Sequence, residues 1–350
     1  MRFALSDDQA LLRSSTRDFL GSELPIEKSR AVMEHSKAGY DPAEWRRLAE
    51  MGYVGLVLPA RVGGQGLGAV ELAIVLEEMG RVCVPGPFLD VVLAASLVAD
   101  GGVDDALVRD VVAGEKLVAI ARHDAPFAGP AATTVRANGG RVRGVKYFVP
   151  FAASADALVA TTVDGLVLVD GPFEATPLQT LDLAQRFGDI VLDHAAKPLG
   201  ASADLVRVDR LGAVGASAML LGLMSRCLET TLEYVRTRQA FERPIGAFQA
   251  LQHRMADMLL KVESTRSAVY RAAWSFDTDA PEAPLACAAA KAYAGDSARH
   301  VCGEAIQMHG GIGFTWELDL HFYFKRAKTL EQHYGSTEAQ LEAALVAAGY

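Results

Sequence analysis

The chain has 350 residues and a mass of 37.3 kDa, a length that suits two or three packed domains. Half of the residues are apolar (51%) and 22% are charged, which excludes a disordered chain. Because 34 basic and 43 acidic side chains give a net charge of −9, we expect no nucleic-acid partner, since nucleic-acid binding requires a basic face.

Four cysteines lie far apart and form no CxxC or Cys/His pattern, so we predict buried free thiols in a reducing cytoplasm and no metal site. Asp7 and Asp8 interrupt the N-terminal segment, so no signal peptide is expected. The longest apolar run, residues 213–224, is shorter than the roughly 20 residues of a membrane span and is followed by Arg226. We therefore predict no membrane span.

The first predicted zone, residues 1–114, is helical. Ser6 precedes a run with two acids in its first turn and apolar residues on one face, which is typical of a capped amphipathic helix. Asp41 and Pro42 indicate the start of a second helix, because aspartate caps helices and proline favours the first turn. Two later segments also have helical spacing, residues 69–79 and 88–99.

The second zone, residues 115–202, consists of short segments rich in Val, Ile and Thr, which predicts β-strands. Gly139-Gly140 and Asp164-Gly165 separate neighbouring segments in the way that hairpin turns do. We therefore predict a small antiparallel β domain.

The third zone, residues 203–350, is helical again. Apolar residues recur at helical spacing in four long segments, residues 211–237, 248–276, 284–308 and 318–330. Four such segments with short connections predict a four-helix bundle. The expected fold class is thus α+β, with an N-terminal helical domain (1–114), a middle antiparallel β domain (115–202) and a C-terminal bundle (203–350).

Two segments of the third zone contain residues suited to a phosphorylated ligand. Arg238 and Phe241 lie three residues apart, so on a helix they would share a face and offer a guanidinium beside an aromatic ring. The alternative is a solvated, charged helix end. Further along, Gly310 and Gly311 either stop a helix or let a ligand approach the backbone, with Gln307 supplying an amide.

Several motifs resemble those of the acyl-CoA dehydrogenases over nearly the full length of the chain. They are FALSDDQALLRSSTRDFL, LPARVGGQGLGAVELAIVLEEMG, YVRTRQAFERPIGAFQALQHRMADM and QMHGGIGFTWELDLHFYFKRAK, of which the last two are the specific ones. The resemblance implies the three-domain fold of that family and the FAD-dependent α,β-dehydrogenation of an acyl-CoA thioester, in fatty-acid or steroid degradation. It also implies a tetramer, with an electron-transfer flavoprotein as a candidate electron acceptor.

The resemblance further implies a set of FAD-binding residues. Arg238 and Phe241 match the Arg-x-x-Phe that holds the diphosphate and adenosine end, and Gln249 matches a glutamine in the same region. The Gln-x-x-Gly-Gly that receives the adenosine diphosphate from another subunit is matched by Gln307, Gly310 and Gly311. Two further residues, Ser336 and Glu338, stand where cofactor-contacting Thr and Gln are usual.

The chain departs from the family at the catalytic base, which is a glutamate in either of two places. Tyr334 occupies one place and Gly212 the other. A phenol, with an unperturbed pKa of about 10, is a poor base at neutral pH. Glu331 and Glu242 are the weaker candidates for the base.

The flavin-ring end of the family pattern is also altered. RHDAPFAGPA, residues 122–131, stands where a Thr-Glu-Pro-x-x-Gly-Ser-Asp segment is usual. The Trp-x-Thr that contacts the flavin becomes Phe148-Val149-Pro150, so a hydroxyl is lost while Phe148 retains an aromatic ring. The resemblance therefore supports the adenosine end of the cofactor better than the ring end.

Three hypotheses follow from these matches and departures. In the first, the chain is one subunit of a hetero-oligomer whose second acyl-CoA dehydrogenase-like subunit supplies the glutamate, as the family's steroid-type heterotetramers do. In the second, it is a homo-oligomeric enzyme with an unusual base. In the third, it is a non-catalytic scaffold or binding protein. We rank the first slightly ahead of the second and both ahead of the third, because the FAD-binding pattern is retained.

Overall fold

A computed structural model describes residues 4–126 and 133–350 of the chain. Helices lie on both sides of a central β region in the sequence. The α-helices are α1 (Asp7–Glu23), α2 (Ile26–His35), α3 (Pro42–Glu50), α4 (Ala69–Arg81), α5 (Phe88–Gly101), α6 (Asp105–Val112), α7 (Leu205–Thr237), α8 (Gln249–Asp277), α9 (Ala283–Met308), α10 (Leu320–Gln332) and α11 (Thr337–Ala347).

Two helix starts that the sequence predicts are confirmed. The Ser6 hydroxyl accepts a hydrogen bond from the Gln9 amide, while the Gln9 side chain accepts one from the Ser6 amide, a reciprocal capping box. Asp41 accepts a hydrogen bond from the Ala43 amide at 2.7 Å, with Pro42 in the first turn of α3. These caps bond main-chain amides that have no partner within their own helix.

Contacts within the chain define two compact units. One combines the residues up to Arg30 with Gly68–Val84 and Ala213–Tyr350, and the other combines Ala31–Leu67 with Pro85–Gly212. This grouping follows packing and not chain order. The domain boundaries at residues 114 and 202 stay a prediction.

The first unit is a set of packed helices. α4 packs against α1 and α8, and α9 packs against α8, α10 and α11. α4 and α7 approach each other closely at two glycines: a Cβ on Gly80 would lie 2.2 Å from the Met219 carbonyl oxygen, and one on Gly222 would lie 2.0 Å from that of Glu77. Glycine is what allows this crossing, because no side chain separates the backbones.

A buried carboxylate links three helices of the same unit. Glu77 on α4 accepts a hydrogen bond from the Tyr270 hydroxyl at 2.6 Å and pairs with Arg266, both on α8. Arg13 on α1 lies 3.4 Å from Glu77 and donates to Tyr270 at 2.7 Å. Burial and the negative charge of Glu77 raise the pKa of Tyr270, so its hydroxyl stays a donor.

The second unit contains a seven-stranded sheet. Its strands are β1 (Val118–Ala121), β2 (Arg136–Asn138), β3 (Arg141–Pro150), β4 (Ala157–Thr162), β5 (Gly165–Asp170), β6 (Ala175–Leu178) and β7 (Phe187–Pro198). The strand order is β1-β4-β5-β7-β3-β2, and β6 also pairs with β7. One face buries a core of small and branched side chains that includes Val142, Leu158 and Ile190.

The sheet is mixed, which corrects the prediction of a purely antiparallel one. β1 and β4 pair in parallel, whereas the other pairs in the sheet are antiparallel. The sequence between β1 and β4 is long enough to carry the chain back to the same end of the sheet, which a parallel pair requires. The Gly139-Gly140 turn is confirmed, with φ of 59° and 73°.

α7 has the length and composition of a membrane-spanning helix, but 89% of its apolar window is buried inside the protein. That burial is what the core helix of a folded helical bundle shows. The four long helices predicted in the third zone are confirmed within a few residues, and α7 begins six residues before the predicted start at residue 211. A fifth helix there, α11, was not predicted.

Candidate functional site

The segment after α7 forms a short hairpin. α7 ends at Thr237, and two strands follow, β8 (Gln239–Ala240) and β9 (Arg243–Pro244). The prediction that Arg238 and Phe241 share a helix face is therefore wrong. Pro244 disfavours helical backbone at the residue before it, and the chain has already turned back at Phe241 and Glu242, both of which have positive φ.

Phe241 and Glu242 form the tip of this hairpin, both with left-handed backbone (φ of 52° and 63°). Few residues other than Gly and Asn adopt this conformation readily. The Phe241 side chain is 88% exposed, and Glu242 is exposed as well. Glu242 thus stands in solvent at a turn.

A cationic and aromatic cluster surrounds the hairpin. The guanidinium of Arg238 is exposed and makes no ion pair or hydrogen bond with the residues described here. The Arg243 guanidinium lies 4.1 Å from the centre of the Phe248 ring. The rings of Phe248 and Phe241 make a T-shaped contact, with their centres 6.1 Å apart. Gln249 is exposed at the first position of α8. The exposed Arg238 guanidinium suits an anionic group, and the exposed Phe241 ring on the same hairpin suits a planar one.

The second glycine-rich segment closes α9. α9 ends at Met308, and a 3₁₀ turn covers Gly310–Phe314. Gly310 has left-handed backbone (φ 63°), and a Cβ on either Gly310 or Gly311 would meet nothing within 4 Å. The helix-stop role is confirmed, and the open space also leaves the main chain accessible beside the exposed Gln307.

A ring stack brings the ends of α7 and α9 together. Tyr234 lies one turn before Arg238, and its ring stacks on His309 with centroids 4.2 Å apart. His309 is buried beside Gly310, and burial lowers its pKa, so the ring is neutral near pH 7. The Arg238 and Gly310 segments of one chain therefore lie on either side of the stacked rings of Tyr234 and His309.

The loop between α10 and α11 contains Tyr334, which the sequence resemblance predicts at one of the two places of the family's base. Tyr334 is half-buried with left-handed backbone (φ 58°), and its ring stacks on His333 at 4.3 Å. Ser336 caps α11 by accepting a hydrogen bond from the Ala339 amide at 3.2 Å. Hydrogen bonds from its own amide and from Ser336 lower the pKa of the exposed Glu338.

Glu331 and Gly212 are both buried. The Glu331 carboxylate is 2.5 Å from the Lys328 ammonium and 3.5 Å from the Thr337 hydroxyl, so its oxygens already have partners. Gly212 lies inside α7 with no side chain to offer. The structure therefore gives neither position a free carboxylate.

Lys291 is a neighbour of this loop that sequence reasoning missed. Its ammonium is fully buried and donates to the main-chain carbonyls of Glu331 (3.0 Å) and Gly335 (2.8 Å). Burial lowers its pKa to about 8. The signal in the sequence was a single lysine within the alanine-rich run ACAAAKAYA, which is otherwise apolar.

In the second unit, Phe148 lies at an irregularity of β3. The register shifts between Lys146 and Val149, and Phe148 has left-handed backbone (φ 52°) and is 40% exposed. Its amide donates to Asp189 at 3.0 Å, and its ring meets His123 edge-on at 6.5 Å. The bulge thus turns an aromatic side chain outward at the end of the strand.

A buried ion pair fixes the backbone beside Phe148. Lys146 and Asp124 are paired, with side chains 0% and 1% exposed, and Lys146 also donates to the Thr161 hydroxyl at 2.9 Å. Asp124, near the start of the altered segment that begins at residue 122, accepts hydrogen bonds from the main-chain amides of Thr134 and Val135. Residues 127–131 of that segment lie outside the described residues.

Within residues 4–126 and 133–350, no group of three or more His, Cys, Asp or Glu side chains is arranged to hold a metal ion. The four cysteines are buried and form no disulfide within the part of the chain that the structure describes. The residues predicted for FAD fit its diphosphate and adenosine, because the structure offers an unpaired exposed guanidinium and an open main-chain surface at two glycines.

Family models of acyl-CoA dehydrogenases match the chain twice, the N-terminal domain at residues 6–106 and the C-terminal domain at residues 210–348. The chain belongs to the acyl-CoA dehydrogenase family. Members are oxidoreductases that act on CH–CH groups and bind FAD, and membership supports FAD-dependent dehydrogenation of an acyl-CoA.

Among its relatives, acyl-CoA dehydrogenase IpdE2 of Mycolicibacterium smegmatis is 34% identical over 338 residues, covering 96% of this chain and 97% of the relative. The solved Tcur3481-Tcur3483 steroid ACAD, a variant, superposes with a TM-score of 0.89 at 29% identity and 98% coverage of both chains. The solved ChsE4-ChsE5 complex from Mycobacterium tuberculosis superposes with a TM-score of 0.87 at 28% identity, and the match covers 98% of this chain and 97% of that chain.

Proposed function

We propose that this chain is an FAD-binding subunit of an acyl-CoA dehydrogenase whose second, related subunit supplies the catalytic base. The proposal is supported by one observation: neither position that the resemblance predicts for the family's glutamate holds a carboxylate. Tyr334 and Gly212 stand there instead, and the neighbouring Glu331 is buried and paired. Dehydrogenation requires a base within reach of the Cα proton of the thioester.

The FAD-binding role is assigned to this chain's own residues. Arg238 presents a positive charge to the cofactor's diphosphate, and Phe241 offers an exposed ring to its adenosine end. Gln307, with the open main chain at Gly310 and Gly311, would bind the adenosine diphosphate of a cofactor shared with another subunit. When bound, FAD supplies the acceptor for the hydride that leaves Cβ.

The comparisons favour a hetero-oligomer and a bulky acyl group. Two solved structures that resemble the chain at 28–29% identity are two-component complexes, and one of them is a steroid ACAD. We propose a steroid-type or similarly bulky acyl-CoA as the substrate and a heterotetramer as the assembly. An electron-transfer flavoprotein is the proposed acceptor, the cytoplasm the proposed location, and residues 1–114, 115–202 and 203–350 the proposed domains.

The decisive experiment expresses the chain alone and together with a second acyl-CoA dehydrogenase-like chain from the same organism, with each such chain tried in turn. We expect flavin absorbance and acyl-CoA-dependent flavin bleaching only in the co-purified complex. Replacing the partner's glutamate with glutamine should abolish bleaching while flavin absorbance remains. Turnover by the pure, partner-free chain would refute the shared site.

The second candidate function, a homo-oligomeric enzyme with its own base, has a distinct signature. The position of Tyr334 in the α10–α11 loop favours it. If the lone chain turned over acyl-CoA and Tyr334→Phe abolished that activity, the phenol would be the base. Activity that survives Tyr334→Phe but is lost in Glu331→Gln or Glu242→Gln would assign the base to that carboxylate.

A further inference from the structure

Lys291 is a buried lysine whose contacts are directed at main-chain atoms. Its side chain, on α9, is 0% exposed, and its two hydrogen bonds go to the carbonyl oxygens of Glu331 and Gly335. Burying an amine without partners is costly, and an apolar side chain of the same length would fill the space at lower cost. The lysine therefore contributes something other than filling.

The two carbonyls that Lys291 binds bracket the α10–α11 loop. Glu331 lies in the last turn of α10, where carbonyl oxygens have no partner within the helix, and Gly335 lies four residues later. Tyr334 lies between them and has a further contact, because the side-chain amide of Gln340 donates a hydrogen bond to the main-chain carbonyl oxygen of Tyr334 at 2.7 Å. Three carbonyls within five residues are thus fixed by side chains from α9 and α11.

This anchoring matters because the loop has an unfavourable backbone. Tyr334 and Gly335 both have left-handed φ, of 58° and 97°. A tyrosine in that conformation is strained and persists only where its surroundings enforce it. One turn beyond Lys291, the same face of α9 approaches the loop at Gly295, where a Cβ would lie 2.9 Å from the Thr337 hydroxyl and 3.1 Å from Glu331 Cγ.

We propose that Lys291 is a positioning residue that fixes the α10–α11 loop, so that Tyr334 and Ser336 face the ligand site in one conformation. This role rests on the proposed function, because the ligand that the loop would face is the ligand of that function. The anchor survives deprotonation, because a neutral amine still has two N–H donors for two carbonyls. One side chain on α9 thus holds both ends of the loop through two hydrogen bonds.

Lys291→Met tests this in the full-length chain, purified with its partner. Methionine has a similar length but no donor. Hydrogen exchange read by mass spectrometry should show the amides of residues 333–337 exchanging about tenfold to a hundredfold faster, the loss expected for a hydrogen bond from a charged donor. Val301→Ala, a cavity-forming change at a fully buried position of the same helix, is the matched control and should leave this loop protected.

The flavin provides the functional readout. Where the wild-type complex binds FAD, Lys291→Met should weaken that binding and change the flavin absorbance spectrum, whereas Val301→Ala should do neither. Wild-type protection of residues 333–337 in Lys291→Met would overturn the inference. If the wild-type complex binds no FAD, the proposed function fails, but the exchange result still decides the role of Lys291.

A second variant keeps the test decisive should Lys291→Met not fold. Lys291→Gln retains N–H donors on a side chain one bond shorter, which cannot reach both carbonyls. Faster exchange at residues 333–337 than in Val301→Ala supports the inference, and equal exchange overturns it.

Discussion

The crossing of α4 and α7 leads to a quantitative prediction about Gly222. A Cβ there would lie 2.0 Å from the Glu77 carbonyl oxygen and 2.9 Å from the Arg81 amide nitrogen. Both are main-chain atoms of α4, so no rotamer change can relieve the overlap. The helices would have to move apart, which would disturb the buried contacts of Glu77 with α8.

The expected magnitude combines two opposing terms. Alanine is favoured over glycine inside a helix by about 0.5–1 kcal/mol. Overpacking a tight core costs about 1–3 kcal/mol, and more where the backbone must shift. We expect Gly222→Ala to lower the free energy of unfolding by up to about 2.5 kcal/mol, and by more where the backbones of the two helices must shift.

Gly303 on α9 is the matched control. A Cβ there would meet only the Phe324 ring, at an ordinary 3.7 Å, so Gly303→Ala should raise the free energy of unfolding by up to about 1 kcal/mol. Urea unfolding followed by circular dichroism measures both variants. If Gly222→Ala proved as stable as Gly303→Ala, the close approach of the two helices would be refuted.

Three other changes have defined outcomes. Burial lowers the pKa of Lys291 to about 8, against about 10.4 in the unfolded chain, so the folded state is favoured as pH rises between these two values. In urea unfolding repeated from pH 8 to above 10, the free energy of unfolding of wild type should therefore increase by up to about 3 kcal/mol relative to that of Lys291→Met. A difference between the two proteins that does not change with pH would contradict this. Asp124→Asn should lower the free energy of unfolding by about 3–5 kcal/mol, because it leaves the Lys146 charge buried and unpaired. Thermal unfolding would measure this loss of stability. The double variant Asp124→Leu with Lys146→Met should recover part of it. Arg238→Ala should weaken FAD binding by about tenfold to a hundredfold in a flavin titration of the complex, and unchanged affinity would remove Arg238 from the site.

Local signals in the sequence were sufficient for most elements of the fold. Ser6 and Asp41 identified helix starts because capping depends on residues a few positions apart, and β-branched runs identified the longer strands. The parallel pairing of β1 with β4 was missed because it depends on contacts between distant parts of the chain. β6, which contains a proline and pairs along one edge of β7, lacked a strand pattern.

The candidate site was predicted unevenly for a similar reason. Arg238 and Phe241 were identified from a motif, but their placement on one helix face is wrong, because α7 ends at Thr237 and the chain turns back at Phe241 and Glu242. Lys291 was missed because its partners are main-chain carbonyls, which leave no mark in the sequence. A lone lysine in an alanine-rich helix was the available signal.

The composition of the first unit has a consequence for how the chain is made. Glu77 is bonded to Tyr270, which follows it by 193 residues, and the unit also includes the residues up to Arg30. During synthesis, α1 and α4 leave the ribosome long before α8 is made. The faces that they bury in the folded protein therefore stay uncovered until most of the chain has been synthesised. Residues Pro85–Gly212 form most of the other unit and are complete before α8 is made. A polypeptide that stops before Arg266 would leave Glu77 without its partners on α8, and nascent chains of that length are the ones that need protection from aggregation.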